Sequence, residues 1–310
     1  MVKRPVKYSV VDAFTDTAFK GNPAAVCLLE EGEERDEKWM QAVAAEFNIS
    51  ETSFLIPISS TDSDANDLSN GHSVPRFHLR WFTPVTEVKL CGHATLASAH
   101  VLFTSRLPRT NVIEFITLSG VLIARRIPIV RNVDASEFSS GEAEDQFSIE
   151  LNFPTSPVLE CEFEDIPSLT ETLNGASVVN ISKTAKAGDE DLIVELLSGK
   201  TVADLLPQLD EIRKFPGRGV IVTGPAPNGS GFDFFSRVFF PKLGIKEDPV
   251  CGSMHCALVP YWSKKLGKCD LVAYQASRRG GVLELHLDEA NQRVLIRGKA
   301  VAVMEGSLLA

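Results

Sequence analysis

The strongest constraint on the fold is a motif that the chain carries twice. The first copy is Arg80-Trp81-Phe82-Thr83-Pro84, and after six further residues Cys91-Gly92-His93 opens a segment of helical composition with almost no charge. The second copy is Arg237-Val238-Phe239-Phe240-Pro241, and after nine further residues Cys251-Gly252-Ser253 opens a similar segment. The repetition predicts two similar halves, in each of which a strand leads through a short connection into a buried helix.

Length, charge and hydropathy define the class of protein. The 310 residues are enough for two domains of about 150 residues each. The formal net charge is -10 and the basic residues are scattered, so we expect neither nucleic acid nor membrane as a partner. No apolar run approaches the ~20 residues needed to span a bilayer, and the first residues lack the apolar core of a signal peptide. These features predict a cytoplasmic protein.

Cysteine usage predicts free thiols and no metal. Six cysteines are too few for a disulfide scaffold in a chain of this length, and none shows Cys-x-x-Cys spacing. Cys251, His255 and Cys256 could share a helix face as metal ligands, but no second ligand cluster accompanies them.

Hydrophobic periodicity predicts many strands around few helices, which is typical of the α+β class. Alternating or β-branched runs predict strands over residues 6–14, 24–29, 76–82, 147–153, 219–224, 232–240, 282–286 and 293–296, a strand beginning near Glu51, and two more within 111–127. Helices are expected over 38–47, with Asp36 as N-cap, and over 168–173 and 202–213. The polar stretches 61–73 and 133–145 predict a mobile hairpin loop and a break near the domain crossover.

Several common catalytic motifs are absent from the sequence. The chain has no Gly-x-Gly-x-x-Gly between a strand and a helix, no Gly-Lys-Ser/Thr phosphate loop, no His-Glu-x-x-His and no Gly-x-Ser-x-Gly. Nicotinamide, P-loop, zincin and α/β-hydrolase chemistry are therefore disfavoured.

The duplicated Cys-Gly element remains as the candidate reaction centre. A helix N-terminus offers unpaired N–H groups and a partial positive charge, so it can hold a carboxylate and lower the pKa of a nearby thiol. If the two halves face each other, the two N-termini would meet in one cleft, an arrangement that suits proton transfer at carbon without a cofactor. Two core cysteines beside helix-starting glycines would explain either copy alone, but they explain the repetition less well.

Two further residues have open interpretations. Glu51 lies among residues that favour burial, so its pKa could be raised as a proton-transferring acid requires, although an exposed glutamate at a strand start is the commoner case. Gly21-Asn22-Pro23 is a turn signal, and a plain turn and a substrate-facing turn are equally compatible with it.

The chain resembles the phenazine-biosynthesis PhzF-like proteins, which are relatives of diaminopimelate epimerase. The resemblance covers nearly the whole chain, and together its motifs are highly specific. They are Val11-Asp12-Ala13-Phe14, Lys20-Gly21-Asn22-Pro23-Ala24-Ala25-Val26, Glu46-Phe47-Asn48-Ile49-Ser50-Glu51-Thr52, Arg80-Trp81-Phe82-Thr83-Pro84, Cys91-Gly92-His93-Ala94-Thr95 and Glu247-Asp248-Pro249-Val250-Cys251-Gly252-Ser253.

The resemblance implies a fold and an assembly. It implies two pseudo-equivalent domains, each an antiparallel barrel-like sheet around a central helix, with the active site between them. We expect the first domain to span 1–128, completed by a C-terminal strand over 292–310, and the second to span 129–291. The resemblance also implies a homodimer, no cofactor, and a small-molecule carboxylate as substrate.

The resemblance also implies roles for individual residues. By matching position, Glu51 would be the general acid and base, and His93 and Asp248 would support the proton transfer. Gly92, Gly252 and Ser253 would receive the substrate carboxylate, and Asn22 would shape the pocket.

One departure from the family pattern leaves two catalytic hypotheses open. Cys251 stands where the family usually has threonine, so Cys91 and Cys251 occupy the positions of the paired catalytic thiols in the epimerase branch. The chain is thus expected to be an isomerase that either racemises or epimerises a carboxylate, such as an amino acid, through Cys91 and Cys251, or isomerises one through Glu51. A catalytically silent member that binds a small carboxylate or a protein is the alternative from another functional class.

Overall fold

The computed structural model describes residues 5–32, 35–58, 74–129, 146–161, 169–185 and 190–309. Within these ranges the chain forms eighteen strands and six α-helices. The strands are β1 (Val6–Ala13), β2 (Asn22–Leu28), β3 (Glu51–Pro57), β4 (Arg76–Phe82), β5 (Glu87–Val88), β6 (Val112–Thr117), β7 (Gly120–Pro128), β8 (Phe147–Pro154), β9 (Val158–Glu160), β10 (Val178–Thr184), β11 (Leu192–Leu196), β12 (Val220–Pro225), β13 (Phe234–Phe240), β14 (Ile245–Asp248), β15 (Asp270–Gln275), β16 (Gly281–Asp288), β17 (Arg293–Gly298) and β18 (Ala300–Leu308). The helices are α1 (Glu37–Phe47), α2 (Gly92–Val101), α3 (Leu169–Thr172), α4 (Gly199–Asp204), α5 (Leu209–Ile212) and α6 (Gly252–Leu266).

The two halves of the chain repeat one order of strand pairings. In the first half β2 lies parallel to β3, β3 antiparallel to β4, β4 parallel to β6, and β6 antiparallel to β7. In the second half β11, β12, β13, β15 and β16 repeat these four pairings in the same sequence. Short antiparallel strands, β5 and β14, precede the central helices α2 and α6. The predicted α+β architecture of two pseudo-equivalent units is confirmed, with parallel pairs inside sheets that are mainly antiparallel.

The sheets of the two halves are joined rather than separate. Strand β8 pairs with β7 on one side and with β17 on the other, both antiparallel. The last strand, β18, returns to pair with β1 at the start of the chain. The expected boundaries after residues 128 and 291 stay a prediction, although β18 adds to the first half as that prediction requires.

The central helix of the first half is buried along almost its whole length. Helix α2 is composed almost entirely of buried residues and packs against β1, β2, β3 and β8. A helix that is apolar all round belongs in the middle of a core. Helix α1, by contrast, is amphipathic, and Asp36 caps it by accepting a hydrogen bond from the N–H of Trp39 at 2.8 Å.

The repeated Arg-x-Phe-x-Pro motif encodes the same ion pair in each half. Arg80 on β4 makes a two-pronged contact with Glu87 on β5, at 2.6 and 2.7 Å. Arg237 on β13 makes the same contact with Glu247 on β14, at 2.7 and 3.0 Å. The planar guanidinium matches a carboxylate at two points, so each pair fixes the connection that leads into a central helix.

One predicted helix is wrong in extent. Residues 202–213 form two short helices, α4 and α5, instead of one. Pro207 lies in the gap, and proline removes a backbone donor and clashes with the preceding turn, so a continuous helix cannot pass through it. The predicted polar loop over 61–73 and the break over 133–145 lie outside the described residues.

Among the helices that the structure describes, none combines the length and the apolar character needed to cross a membrane.

Candidate active site

The N-termini of α2 and α6 meet where the two halves face each other. A Cβ atom built on Gly92 would lie 3.5 Å from the Cα of Gly252 and 3.7 Å from the amide nitrogen of Ser253. The first amides of a helix have no partner within that helix, so two sets of N–H groups and two positive dipole ends converge here. This convergence is the anion-binding arrangement that the duplicated motif predicts.

Cys91 and Cys251 are the N-cap residues of the two helices. Both are buried, with 8% and 6% of their surface exposed. The sulfur of Cys91 lies 3.3 Å from Nδ1 of His93, and the sulfur of Cys251 lies 3.5 Å from Oγ of Ser253. The two thiols are thus equivalent in the duplicated fold, and each has a different polar neighbour.

Burial keeps both thiols protonated. The pKa of Cys91 is raised well above 9.0, first by desolvation and then by the charge of Glu51. The pKa of Cys251 is also raised, first by desolvation and then by the charge of Asp248. A thiolate at either position would need these carboxyl groups to be neutral, since negative charges repel it.

Glu51 is the carboxyl group with the higher pKa in this cluster. It begins β3, is 8% exposed, and its Oε2 atom has no hydrogen-bond partner. Desolvation and, secondarily, the charge of Asp248 raise its pKa from 4.5 to about 8. The commoner expectation of an exposed glutamate is wrong here, and the alternative of a desolvated carboxyl holds.

Glu51 has no counterpart in the second half. Glu51 precedes Thr52, which pairs with Phe82 of the first motif. Gly219 precedes Val220, which pairs with Phe239 of the second motif, so Gly219 occupies the equivalent position. A Cβ atom on Gly219 would lie 2.3 Å from the Phe239 carbonyl oxygen and from Cδ1 of Phe240. The second half therefore has no room for a side chain where the first half carries its carboxyl group.

Asp248 is likewise present in one half only. Asp248 pairs with Val238 on β13. The equivalent of Val238 in the first half is Trp81 on β4, and Trp81 pairs with Val88. Desolvation raises the pKa of Asp248 to about 6. The cleft is thus symmetric in its helices and thiols, while each half contributes one carboxyl group without an equivalent in the other.

Asn22 connects the two halves at Asp248. Its Nδ2 donates to Oδ1 of Asp248 at 2.8 Å and to the Val250 carbonyl at 2.9 Å, while its Oδ1 is buried without a partner. The Gly-Asn-Pro turn therefore serves the cleft as well as the chain reversal.

His93 is buried and neutral in this environment. Desolvation lowers its pKa to about 3, although the nearby Pro23 carbonyl acts in the opposite direction. The structure thus brings together all the residues singled out from the sequence: Asn22, Glu51, Cys91, Gly92, His93, Asp248, Cys251, Gly252 and Ser253. Their individual roles stay predictions.

His255, which could share a helix face with Cys251 and Cys256, makes contacts of another kind. Nδ1 of His255 lies 2.8 Å from the Cys251 carbonyl oxygen, and its other nitrogen lies 3.5 Å from Oγ of Ser236. In the part of the chain that the structure describes, no three His, Cys, Asp or Glu side chains are grouped as metal ligands would be.

Two residues of the site region were not anticipated from the sequence. The side chain of Gln275 contacts the backbone of Asp248 and Cys251. Arg279 bridges the halves by donating to Asp12, Lys20 and Gly21. Neither lies in a recognisable motif, and only the pairing of β15 and β16 with the rest of the sheet places them here.

Gly21 supplies a test of this region. We expect Gly21→Ala to lower the free energy of unfolding by more than about 2 kcal/mol, since Gly21 has a φ of +60° and a Cβ atom would lie 2.1 Å from the Ala13 carbonyl oxygen. Gly229→Ala is the matched control because Gly229 has a φ of +75° and no atom within 4 Å of its added Cβ. Urea denaturation of both variants measures the difference, and equal losses would contradict the steric explanation.

Comparison with known proteins decides the family. The family model described as phenazine biosynthesis-like protein, PhzC-PhzF, matches residues 11–306. The chain belongs to this family. An uncharacterized isomerase of Halalkalibacterium halodurans is 41% identical over 97% of both chains. The mouse phenazine biosynthesis-like domain-containing protein 1 is 40% identical over 97% of this chain and 98% of its own.

A solved structure agrees with the family assignment. The PhzF family protein of Enterococcus faecalis is 36% identical, covers 98% of this PhzF-like chain and 99% of its own, and has a TM-score of 0.77. The predicted family and fold are therefore confirmed. The name of the Halalkalibacterium relative supports an isomerase in general and states neither a substrate nor a reaction.

Proposed function

We propose that this PhzF-like chain is a cofactor-independent isomerase that moves a proton on a small carboxylate, with Glu51 as the acid and base. The observation that carries the proposal is the buried, unpaired carboxyl of Glu51, whose pKa is about 8. A general base works best when its pKa lies near the operating pH, because both of its protonation states are then accessible.

The proposed reaction begins with the substrate carboxylate at the amides of Gly92, Gly252 and Ser253. The helix N-termini stabilise the carboxylate and the additional negative charge that develops on it. Ionised Glu51 then takes the proton as a C–H bond breaks, the carboxylic acid that forms exchanges its proton with solvent, and it then donates a proton to another carbon of the substrate. The nearby charge of Asp248 raises the basicity of Glu51.

Racemisation or epimerisation of an amino acid through Cys91 and Cys251 is the second candidate. Its support is the equivalent placement of both thiols at the two helix N-termini. The raised pKa values of both thiols favour Glu51 instead, because a buried thiol beside carboxylates is a weak source of thiolate.

The decisive experiment is incubation in deuterated water with a panel of amino and hydroxy carboxylates, followed by NMR and chiral chromatography. We expect deuterium to enter a carbon-bound position with the wild type. The exchange should fall about 10²- to 10⁴-fold in Glu51→Gln and remain within about tenfold of the wild type in the Cys91→Ser, Cys251→Ser double variant. Glu46→Gln, at an exposed position of α1, is the matched control.

Two outcomes would contradict the proposal. Exchange with chiral inversion that survives Glu51→Gln but is lost without the thiols would favour the thiol pair. No exchange of any carboxylate by the wild type, together with binding of one, would favour a catalytically silent binding protein.

A further inference from the structure

Gln275 is the last residue of β15, and its side chain is fully buried at the base of the cleft. Its Nε2 donates to the carbonyl oxygen of Asp248 at 2.6 Å, and its Oε1 accepts from the amide of Cys251 at 2.9 Å. An amide group has distinct donor and acceptor ends, so only one orientation of Gln275 satisfies both contacts. The single side chain therefore bridges the two ends of the turn from Asp248 to Cys251.

Comparison of the two halves distinguishes contacts that this turn makes in both halves from contacts that it makes in the second half alone. Oγ of Ser277 donates to the Pro249 carbonyl at 2.7 Å, and Oγ of Ser119 donates to the Lys89 carbonyl at 2.7 Å. Lys89 and Pro249 each lie two residues before the N-cap cysteine of their half. A serine thus holds the equivalent connection in both halves, which is what a purely structural requirement predicts.

The contact made by Gln275 occurs in the second half alone. The strand registers place Thr117 at the equivalent position of β6, and its hydroxyl donates to Gly120 in its own hairpin at 2.7 Å. The connection in the first half carries Val88 where the second half carries Asp248. The side-chain amide of Gln275 therefore occurs in the half that carries Asp248 and is not a general feature of the turn.

Asp248 is held from two directions. Asn22, from the first half, fixes the carboxyl group through Oδ1, and Gln275, from the second half, fixes the main chain through the carbonyl oxygen. We propose that Gln275 is a positioning residue that fixes Asp248, and with it the N-terminus of α6, relative to Glu51. The inference rests on the proposed function, because in that function the charge of Asp248 raises the basicity of Glu51.

The first test needs no substrate. Gln275→Met keeps an unbranched side chain of similar size but loses both hydrogen bonds, so we expect the Cys251 amide to exchange with deuterium at least about tenfold faster. The amide of Cys91 is the internal reference, because Thr117 stands at the position of Gln275 in the first half and bonds within its own hairpin, and the exchange rate of Cys91 should stay unchanged. Ser277→Ala is the matched variant that removes a contact to the same turn without touching Asp248 or Cys251.

The second test reads Asp248 itself through its carboxyl ¹³C chemical shift during a pH titration. Desolvation is the main cause of its raised pKa, so a looser turn that admits water should lower the titration midpoint in Gln275→Met. Gln275→Glu retains an acceptor for the Cys251 amide, so the protection of that amide should survive in this variant. A side chain that only fills space would move neither readout.

These outcomes are separable from those of the proposed function. If no carboxylate exchanges deuterium, the proposed function fails, while the amide and carboxyl measurements still decide the role of Gln275. Where wild-type exchange is found, Gln275→Met should lower kcat and also raise KM, because Asp248 is no longer fixed relative to Glu51 and the substrate-binding amides of Gly252 and Ser253 lie at the loosened N-terminus of α6.

Wild-type values of both readouts in Gln275→Met would overturn the inference. Equal loss of protection at Cys91 and Cys251 would do so too, since it would indicate general loosening of the fold. Should Gln275→Met fail to fold, Gln275→Glu decides, and loss of Cys251 protection in that variant counts against the inference.

Discussion

Glu51→Gln is expected to abolish most of the activity and to make the protein more stable at alkaline pH. The folded-state pKa of Glu51 is about 8 against an ordinary value of 4.5. A group whose pKa is raised on folding contributes stability that is fully present below its unfolded pKa and is lost as the pH rises through its folded pKa. Wild-type stability should therefore decline between pH 4.5 and about 8.

Glutamine cannot ionise, so the variant escapes this loss. Above pH 8 we expect Glu51→Gln to exceed the wild type by about 2 to 5 kcal/mol in the free energy of unfolding, the upper figure being the full pKa difference at about 1.4 kcal/mol per unit. Urea denaturation at a series of pH values measures the difference, and Glu46→Gln is the control. Parallel curves for wild type and Glu51→Gln would refute the raised pKa.

Arg237→Met should destabilise the protein more than Arg80→Met, although both arginines occupy the same position of the repeated motif. The Arg237 side chain is 11% exposed, and it also donates to the Leu205 carbonyl at 2.6 Å. The Arg80 side chain is 29% exposed, and its additional contact is an ion pair with Glu37, whose side chain is 69% exposed. We expect losses of about 2 to 4 kcal/mol for Arg237→Met and about 1 kcal/mol for Arg80→Met.

The two variants should also differ in their effect on the cleft. Without Arg237 the charge of Glu247 is uncompensated, and that charge already raises the pKa of Asp248. Arg237→Met should therefore raise the pKa of Asp248 further, whereas Arg80→Met should leave it unchanged, because Arg80 pairs with Glu87 and the glutamate that acts on Asp248 is Glu247. Urea denaturation and a carboxyl ¹³C titration test both statements, and equal costs for the two variants would contradict the difference in burial.

The sequence predicted the convergence of the two helix N-termini because its main signal is local and occurs twice. A cysteine and a glycine at each helix start lie within one short motif, so their convergence needed only the assumption that the halves face each other. The ion pairs of Arg80 and Arg237 also follow from the motif, once each glutamate is recognised in the short strand that follows. The Asp36 cap of α1 is encoded within four residues.

Features that depend on contacts between the two halves could not be predicted from a local motif. The raised pKa of Glu51 results from its burial and from the charge of Asp248, which is 197 positions further along the chain. Gln275 is a single polar residue at the end of a strand, and no spacing distinguishes it from a surface glutamine. The break between α4 and α5 follows from Pro207, whose missing backbone donor outweighs the apolar periodicity of 202–213.

The return of β18 to β1 has a consequence for how the chain is made. The pairs run from Val6 with Leu308 to Ala13 with Ala300, so β1 is completed by a strand that lies far downstream in the chain. Contacts between such distant residues form slowly because a long loop must close first. During translation the edge of β1 therefore stays open until β18 has left the ribosome, and truncation before Ala300 should expose that edge to aggregation.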